Sequence, residues 1–182
     1  WVVPGKNEKA DHSDAASNVK SRLSARGFKE MGEGWYRKSF TPSISLKGKR
    51  ILIDFEGIMY IGDVYVNGKL VGGTDYGYVG FECNISNELK YGEPNDIVVR
   101  ASTSGADNSR WYTGGGLFRD VHIIVTDPDL FFVRHPLYIT TVDNRLIKVQ
   151  AEVANYTKQD IVTLKERILD AQGNMVAESR KD

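Results

Sequence analysis

The chain has 182 residues, 24 Lys and Arg against 24 Asp and Glu, three His and a single Cys. A net charge of zero provides no field to hold a phosphate backbone, and without a local basic stripe nucleic-acid binding is excluded. No run approaches the roughly 18 apolar residues that a membrane-spanning helix requires, so no membrane association is expected.

No leader with a basic start and an apolar middle is expected at the first residues, and because the chain opens on Trp1 it reads as a piece of something longer or a processed form. One Cys forms neither an internal disulfide nor a cysteine-rich zinc site, which leaves the redox compartment open. With 41% apolar residues the chain can build one or two packed domains.

Taken in order, the only helical hint is Ser17 to Arg26, where Val19 and Leu23 stand four apart, and it is too short to hold alone. Strands follow: Trp35 to Phe40, Arg50 to Phe55, Gly62 to Val66, Lys69 to Gly72, Phe81 to Ile85 and Ile97 to Ala101. Each mixes β-branched, aromatic and alternating polar residues between Gly, Asn, Asp or Pro. The period of two turns Ile51, Ile53 and Phe55 toward a core and Leu52 and Asp54 away from it. Phe81, Cys83 and Ile85 repeat the pattern, which makes Cys83 a core filler. Asn67-Gly68 supplies the two positive φ angles of a type I′ turn, so a hairpin is expected there. Val121 to Val125 is almost wholly apolar, as in a strand buried on both faces or one whose His122 lies at a sheet margin.

Thr126-Asp127-Pro128-Asp129 breaks the pattern and divides the chain into domains at 1–128 and 129–182. In the second, strands are expected at Leu137 to Thr141, Leu146 to Asn155 and Ile161 to Asp170. A turn at Ala171-Gln172-Gly173-Asn174 leads into a returning strand from Met175 to Ala177. An immunoglobulin-like sandwich takes about seven strands and ~100 residues, so this is half of one. Unless its exposed edges pair with a second copy, giving a homo-oligomer, or its missing strands come from another chain, it is expected to be poorly ordered or prone to association.

Nucleophilic catalysis finds no support: His12, His122 and His135 are scattered, and no Ser sits in a nucleophile-elbow setting. The same histidines lack metal-ligand spacing. Gly114-Gly115-Gly116 has neither the spacing nor the following helix of a phosphate cradle. Asp54, Glu56, Asp63, Asp75, Glu82 and Asp120 lie in or beside strands, where charges face solvent or pair with Arg. The segment Ser102 to Tyr112 differs, because it joins small polar residues to Arg110, Trp111 and Tyr112. Flat aromatic faces accept the apolar side of a sugar ring, and planar guanidinium or amide groups bridge neighbouring hydroxyls. The competing reading packs Trp111 and Tyr112 under the sheet and pairs Arg110 with a carboxylate.

Several motifs in succession, Gly34-Trp35-Tyr36-Arg37-Lys38-Ser39-Phe40, Ile53-Asp54-Phe55-Glu56-Gly57-Ile58, Val64-Tyr65-Val66-Asn67-Gly68, Gly77-Tyr78-Val79-Gly80-Phe81, Ile85-Ser86 and Ser109 to Val121, resemble the amino-terminal domain of glycoside hydrolase family 2 enzymes such as β-galactosidases. The resemblance is closest over residues 34 to 128. It implies an all-β chain: a jelly-roll, galactose-binding-like β-sandwich over 1–128, then a partial immunoglobulin-like β-sandwich over 129–182. The acid/base and nucleophile glutamates of the family sit on a later (β/α)₈ barrel, which alone takes about 250 residues, so this piece is expected to hydrolyse nothing by itself.

The resemblance also implies that a loop of the first domain reaches the rim of the active site, with Arg110 touching the sugar and Asn108, Trp111 and Tyr112 shaping the edge. Arg110 would favour a galactoside through hydrogen bonds or an acidic sugar through charge. Arg119 and Asp120 are read as structural. No cofactor is expected in this piece, since the ligands for the magnesium or sodium that full-length members often bind lie mostly outside it. The expected partners are a β-galactoside or related glycoside and the missing barrel; the rival readings are an autonomous carbohydrate-binding module and a purely structural sandwich. Asn84-Ile85-Ser86 and Asn155-Tyr156-Thr157 fit the glycosylation pattern, and a periplasmic or secreted location is favoured over a cytoplasmic one.

Overall fold

The computed structural model describes residues 32–103, 114–143, 145–159 and 161–182. The chain separates into two compact units, Trp1–Pro128 and Asp129–Asp182.

In the first unit the strands are β1 (Glu33–Phe40), β2 (Arg50–Phe55), β3 (Ile58–Met59), β4 (Ile61–Val66), β5 (Lys69–Thr74), β6 (Phe81–Asn84), β7 (Asn95–Ser102), β8 (Gly116–Leu117) and β9 (Val121–Thr126), with a turn of 3₁₀ helix at Ile44–Leu46. They pair into a four-stranded sheet in the order β1-β7-β4-β5, a three-stranded sheet β6-β2-β9 and a short β3-β8 ladder. Every pairing is antiparallel. Val64, Val66, Ile97 and Val99 of the larger sheet and Ile51, Ile53, Phe55 and Cys83 of the smaller one belong to a single hydrophobic cluster. The two sheets therefore close on one another as a β-sandwich. Phe55 and Phe81 stack at 5.2 Å within that core.

Leu52 faces away from Ile51 and Ile53 as expected, yet it is only 3% exposed: β2 is the middle strand of its sheet, and Asn84 and Ile124 lie in register on either side of Leu52. Of the two readings of Val121 to Val125, the sheet-margin one holds: β9 lies at the end of its sheet, and Ile123 and Val125 keep 43% and 42% of their surface exposed. Cys83 is buried as expected, and burial, with the Glu82 charge adding to it, pushes its thiol up to about 11.

The β4–β5 hairpin turns on Asn67 and Gly68 with φ of 51° and 84°, the pair of positive angles that a type I′ turn demands. The Asn67 side chain also donates to the Glu88 carbonyl and to Asn95 Oδ1, both at 2.8 Å. Both Asn-x-Ser/Thr sites are Asx turns here: Asn84 Oδ1 accepts the Ser86 N–H at 3.1 Å, and Asn155 Oδ1 accepts the Thr157 N–H at 3.0 Å.

The second unit has β10 (Leu130–Val142) paired with β11 (Leu146–Asn155), and β12 (Leu164–Leu169) paired with β13 (Met175–Lys181). β10 begins seven positions before the expected Leu137. Its register shifts between Phe132 and Leu137, where His135 takes a φ of 54° and Pro136 follows, so a bulge accommodates a proline inside the strand. A cleft of about 570 Å³, lined by Leu137, Ile139, Ile147, Val149, Leu164 and Ile168 among others, lies between the two pairs. Among the described residues no helix is long and apolar enough to cross a membrane.

Candidate functional site

Asn108, Arg110, Trp111 and Tyr112 lie outside the described residues, as do Ser17 to Arg26 and His12. The structure defines the two roots of the segment that carries the first four. At the departing root, Ser102 and Thr103 are buried, and Ser102 accepts the Tyr60 N–H at 3.3 Å. The Thr103 N–H donates to the Gly32 carbonyl at 2.8 Å. Thr103 Oγ1 accepts the Gly32 N–H at 2.8 Å and donates to the Gly32 carbonyl at 3.0 Å. This clasp ties the end of β7 to the start of β1. At the returning root, Gly116 has a φ of +95°, and a Cβ there would lie 2.0 Å from the Tyr36 hydroxyl. Gly116 is thus where Tyr36, reaching in from β1, meets the backbone.

The outer face of the four-stranded sheet carries a second polar and aromatic group. Trp35 stacks on Tyr65 at 6.1 Å and donates from Nε1 to Glu33 Oε1 at 2.7 Å. Arg100 lies in cross-strand register between Trp35 and Asp63, bonded to Glu33 at 2.7 Å and to Asp63 at 2.8 Å. The Arg100 guanidinium, then Trp35, holds the Glu33 carboxyl below its usual range, while Glu33 and then Asp63 raise Arg100. Arg37 and Ser39 bind Asp96 on the same sheet and lower it likewise. Sequence reading missed this network; its signal was the alternation Glu33, Trp35, Arg37, Ser39, which places all four on one face of β1.

Of the carboxylates singled out by sequence, Asp63 pairs with Arg100 and Glu82 with Arg50, the latter at 3.3 Å. Glu56 approaches His122 Nε2 at 3.1 Å, and donor atoms of Glu56, Asp120 and His122 all lie within 4.8 Å of one another. The structure therefore brings His122 to two carboxylates that chain spacing alone did not connect. Arg119 lies over the Phe118 ring, 5.5 Å from its centroid.

The sandwich and its loop roots have known relatives. The family model for the glycosyl hydrolase 2 galactose-binding domain-like fold matches residues 22–140. A β-galactosidase of Bacteroides ovatus is 34% identical over 154 residues, covering 82% of this chain and 18% of that protein. A β-glucuronidase of Formosa agariphila is 32% identical over 177 residues, covering 83% of this chain and 18% of that protein. The chain thus spans about a fifth of the length of these curated relatives. Among solved structures, a glycosyl hydrolase family 2 member from Bacteroides cellulosilyticus superposes with a TM-score of 0.74 at 35% identity, over 85% of this chain and 22% of that one. A β-glycosidase from Bacteroides vulgatus gives 0.75 at 30% identity, over 85% and 20%. All-β architecture, a jelly-roll sandwich followed by strands of an immunoglobulin-like one, and a family match across most of its length together place this chain in glycoside hydrolase family 2, as its galactose-binding-like amino-terminal region.

Proposed function

We propose that this chain is the non-catalytic amino-terminal region of a retaining family 2 glycosidase, a β-galactosidase, and that residues 104–113 form one edge of its sugar site. The supporting observation is the pair of fixed loop roots: the Thr103 clasp and the Gly116–Tyr36 contact flank the segment that joins Arg110 to Trp111 and Tyr112. Arg110 offers the sugar a rigid fork of donors, Trp111 and Tyr112 offer flat apolar faces, and Asn108 offers an amide. Bond cleavage belongs to two carboxylates on a (β/α)₈ barrel in the rest of the polypeptide, one as general acid and base and one as nucleophile.

Relatives named β-glucuronidase favour a second reading, in which Arg110 pairs with the carboxylate of a uronic acid. One kinetic series separates the two. In the full-length enzyme, Arg110→Ala should lower kcat/KM at least tenfold on nitrophenyl β-galactoside with an unchanged thermal midpoint. A loss confined to nitrophenyl β-glucuronide selects the second reading, and unchanged kinetics on both removes Arg110 from the site.

A further inference from the structure

We propose that Glu56, Asp120 and His122 form a binding site for a divalent cation of the zinc class at the rim of the three-stranded sheet. The argument starts from register. β2 and β9 are paired so that Phe55 faces Val121 and Asp54 faces His122. Pairing continues one step past β2, since the Glu56 N–H donates to the Asp120 carbonyl at 3.1 Å, which sets Glu56 opposite Asp120. Asp120 and His122 are two apart on one strand and so share a face, and their cross-strand partners Glu56 and Asp54 share it with them. The backbone therefore converges three carboxylates and an imidazole on one surface, at a margin strand where exposed side chains can adjust.

The donor set selects the ion. Donor atoms of Glu56, Asp120 and His122 already lie within 4.8 Å of one another, and Nε2 to Oε1 is 3.1 Å. Ligands at about 2.0–2.2 Å from a tetrahedral zinc lie roughly 3.2–3.6 Å apart, so rotation of exposed side chains suffices to close the shell, with water in the fourth position. An imidazole nitrogen beside two carboxylates suits zinc and its transition-metal neighbours, whereas magnesium and calcium prefer oxygen alone. Cys83 is buried and offers no competing thiolate.

Chelator-treated 182-residue chain, titrated with zinc chloride by calorimetry and with cobalt(II) by visible absorption, tests the assignment. One site of micromolar affinity is expected, with a cobalt spectrum showing a nitrogen ligand. His122→Ala and Glu56→Gln should each weaken binding at least tenfold, Asp120→Asn should behave similarly, and the double variant His12→Ala, His135→Ala should bind as the parent does. These side chains are exposed, and metal-free thermal midpoints of the variants, expected within a few degrees of the parent, separate lost ligands from lost folding. Zinc binding weaker than millimolar, or affinity unaltered by His122→Ala and Glu56→Gln, would overturn the proposal and leave the cluster as a His122–Glu56 ion pair. Displacement of zinc by a small excess of magnesium would overturn the choice of ion.

Discussion

Asn95 is 1% exposed and has all its side-chain hydrogen-bonding capacity in use. Its Oδ1 accepts from the Lys90 N–H and from Asn67 Nδ2, and its Nδ2 donates to the Lys90 and Glu93 carbonyls, each at 2.8 Å. Because truncation strands several polar groups out of contact with water, Asn95→Ala should cost on the order of 3 kcal/mol in urea unfolding. Tyr36 poses a steric problem of a different kind. At Gly116 an added Cβ meets the Tyr36 hydroxyl and a φ of +95° together. Gly116→Ala should therefore lower stability by roughly 1–3 kcal/mol, and Tyr36→Phe in the same chain should restore part of it by removing the oxygen, while the backbone cost stays. The Cys83 thiol, raised by burial, should resist a maleimide at neutral pH until the chain is unfolded.

At the scale of elements, the hairpin from β12 to β13 depends on one carboxylate. Asp170 Oδ1 accepts the N–H groups of Gln172 and Asn174 at 2.9 and 2.8 Å, and Oδ2 accepts Asn174 Nδ2 at 2.9 Å. Asp170→Ala should accelerate amide exchange at Gln172 and Asn174 at least tenfold while leaving β10 and β11 unaffected. Turns of this kind are legible in sequence because they are local: Asn67-Gly68 and Gln172-Gly173 contain the residues that positive φ angles need. So are long alternating strands such as β2, β4 and β11. The two-residue strands β3 and β8 were not legible, since so short a ladder has no period to read. Nor was the bulge in β10, where tertiary pairing overrode Pro136. The cluster of Glu56, Asp120 and His122 depends on the register of strands 66 positions apart, which no spacing rule within one segment reveals. Asn108, Arg110, Trp111 and Tyr112 were chosen on residue type and family likeness alone.

Across the whole molecule, carboxylates held by ion pairs or hydrogen bonds set the response to acid. Glu33 is lowered chiefly by Arg100, Asp96 by Arg37, Asp170 by Asn174 and Glu178 by Lys165. In each the folded chain holds the carboxylate below its unfolded value of about 4, so the stabilisation is complete above that value and is lost as pH falls through the folded one. Stability should thus be level from neutral pH down to ~5 and fall below ~4, with a shallower fall in about 0.5 M salt because these groups are exposed and screened. The separation at Pro128 carries its own prediction. Residues 1–128 prepared alone should unfold cooperatively near the midpoint of the corresponding transition in the 182-residue chain; loss of cooperativity would show that the units depend on each other.

The clasp between Thr103 and Gly32 and the contact between Tyr36 and Gly116 anchor the ends of residues 104–113 to the scaffold, independent of what those residues are. On the role proposed for that stretch, relatives sharing this frame would trade one sugar preference for another by rewriting residues between the two anchors, with the sandwich beneath left as it is.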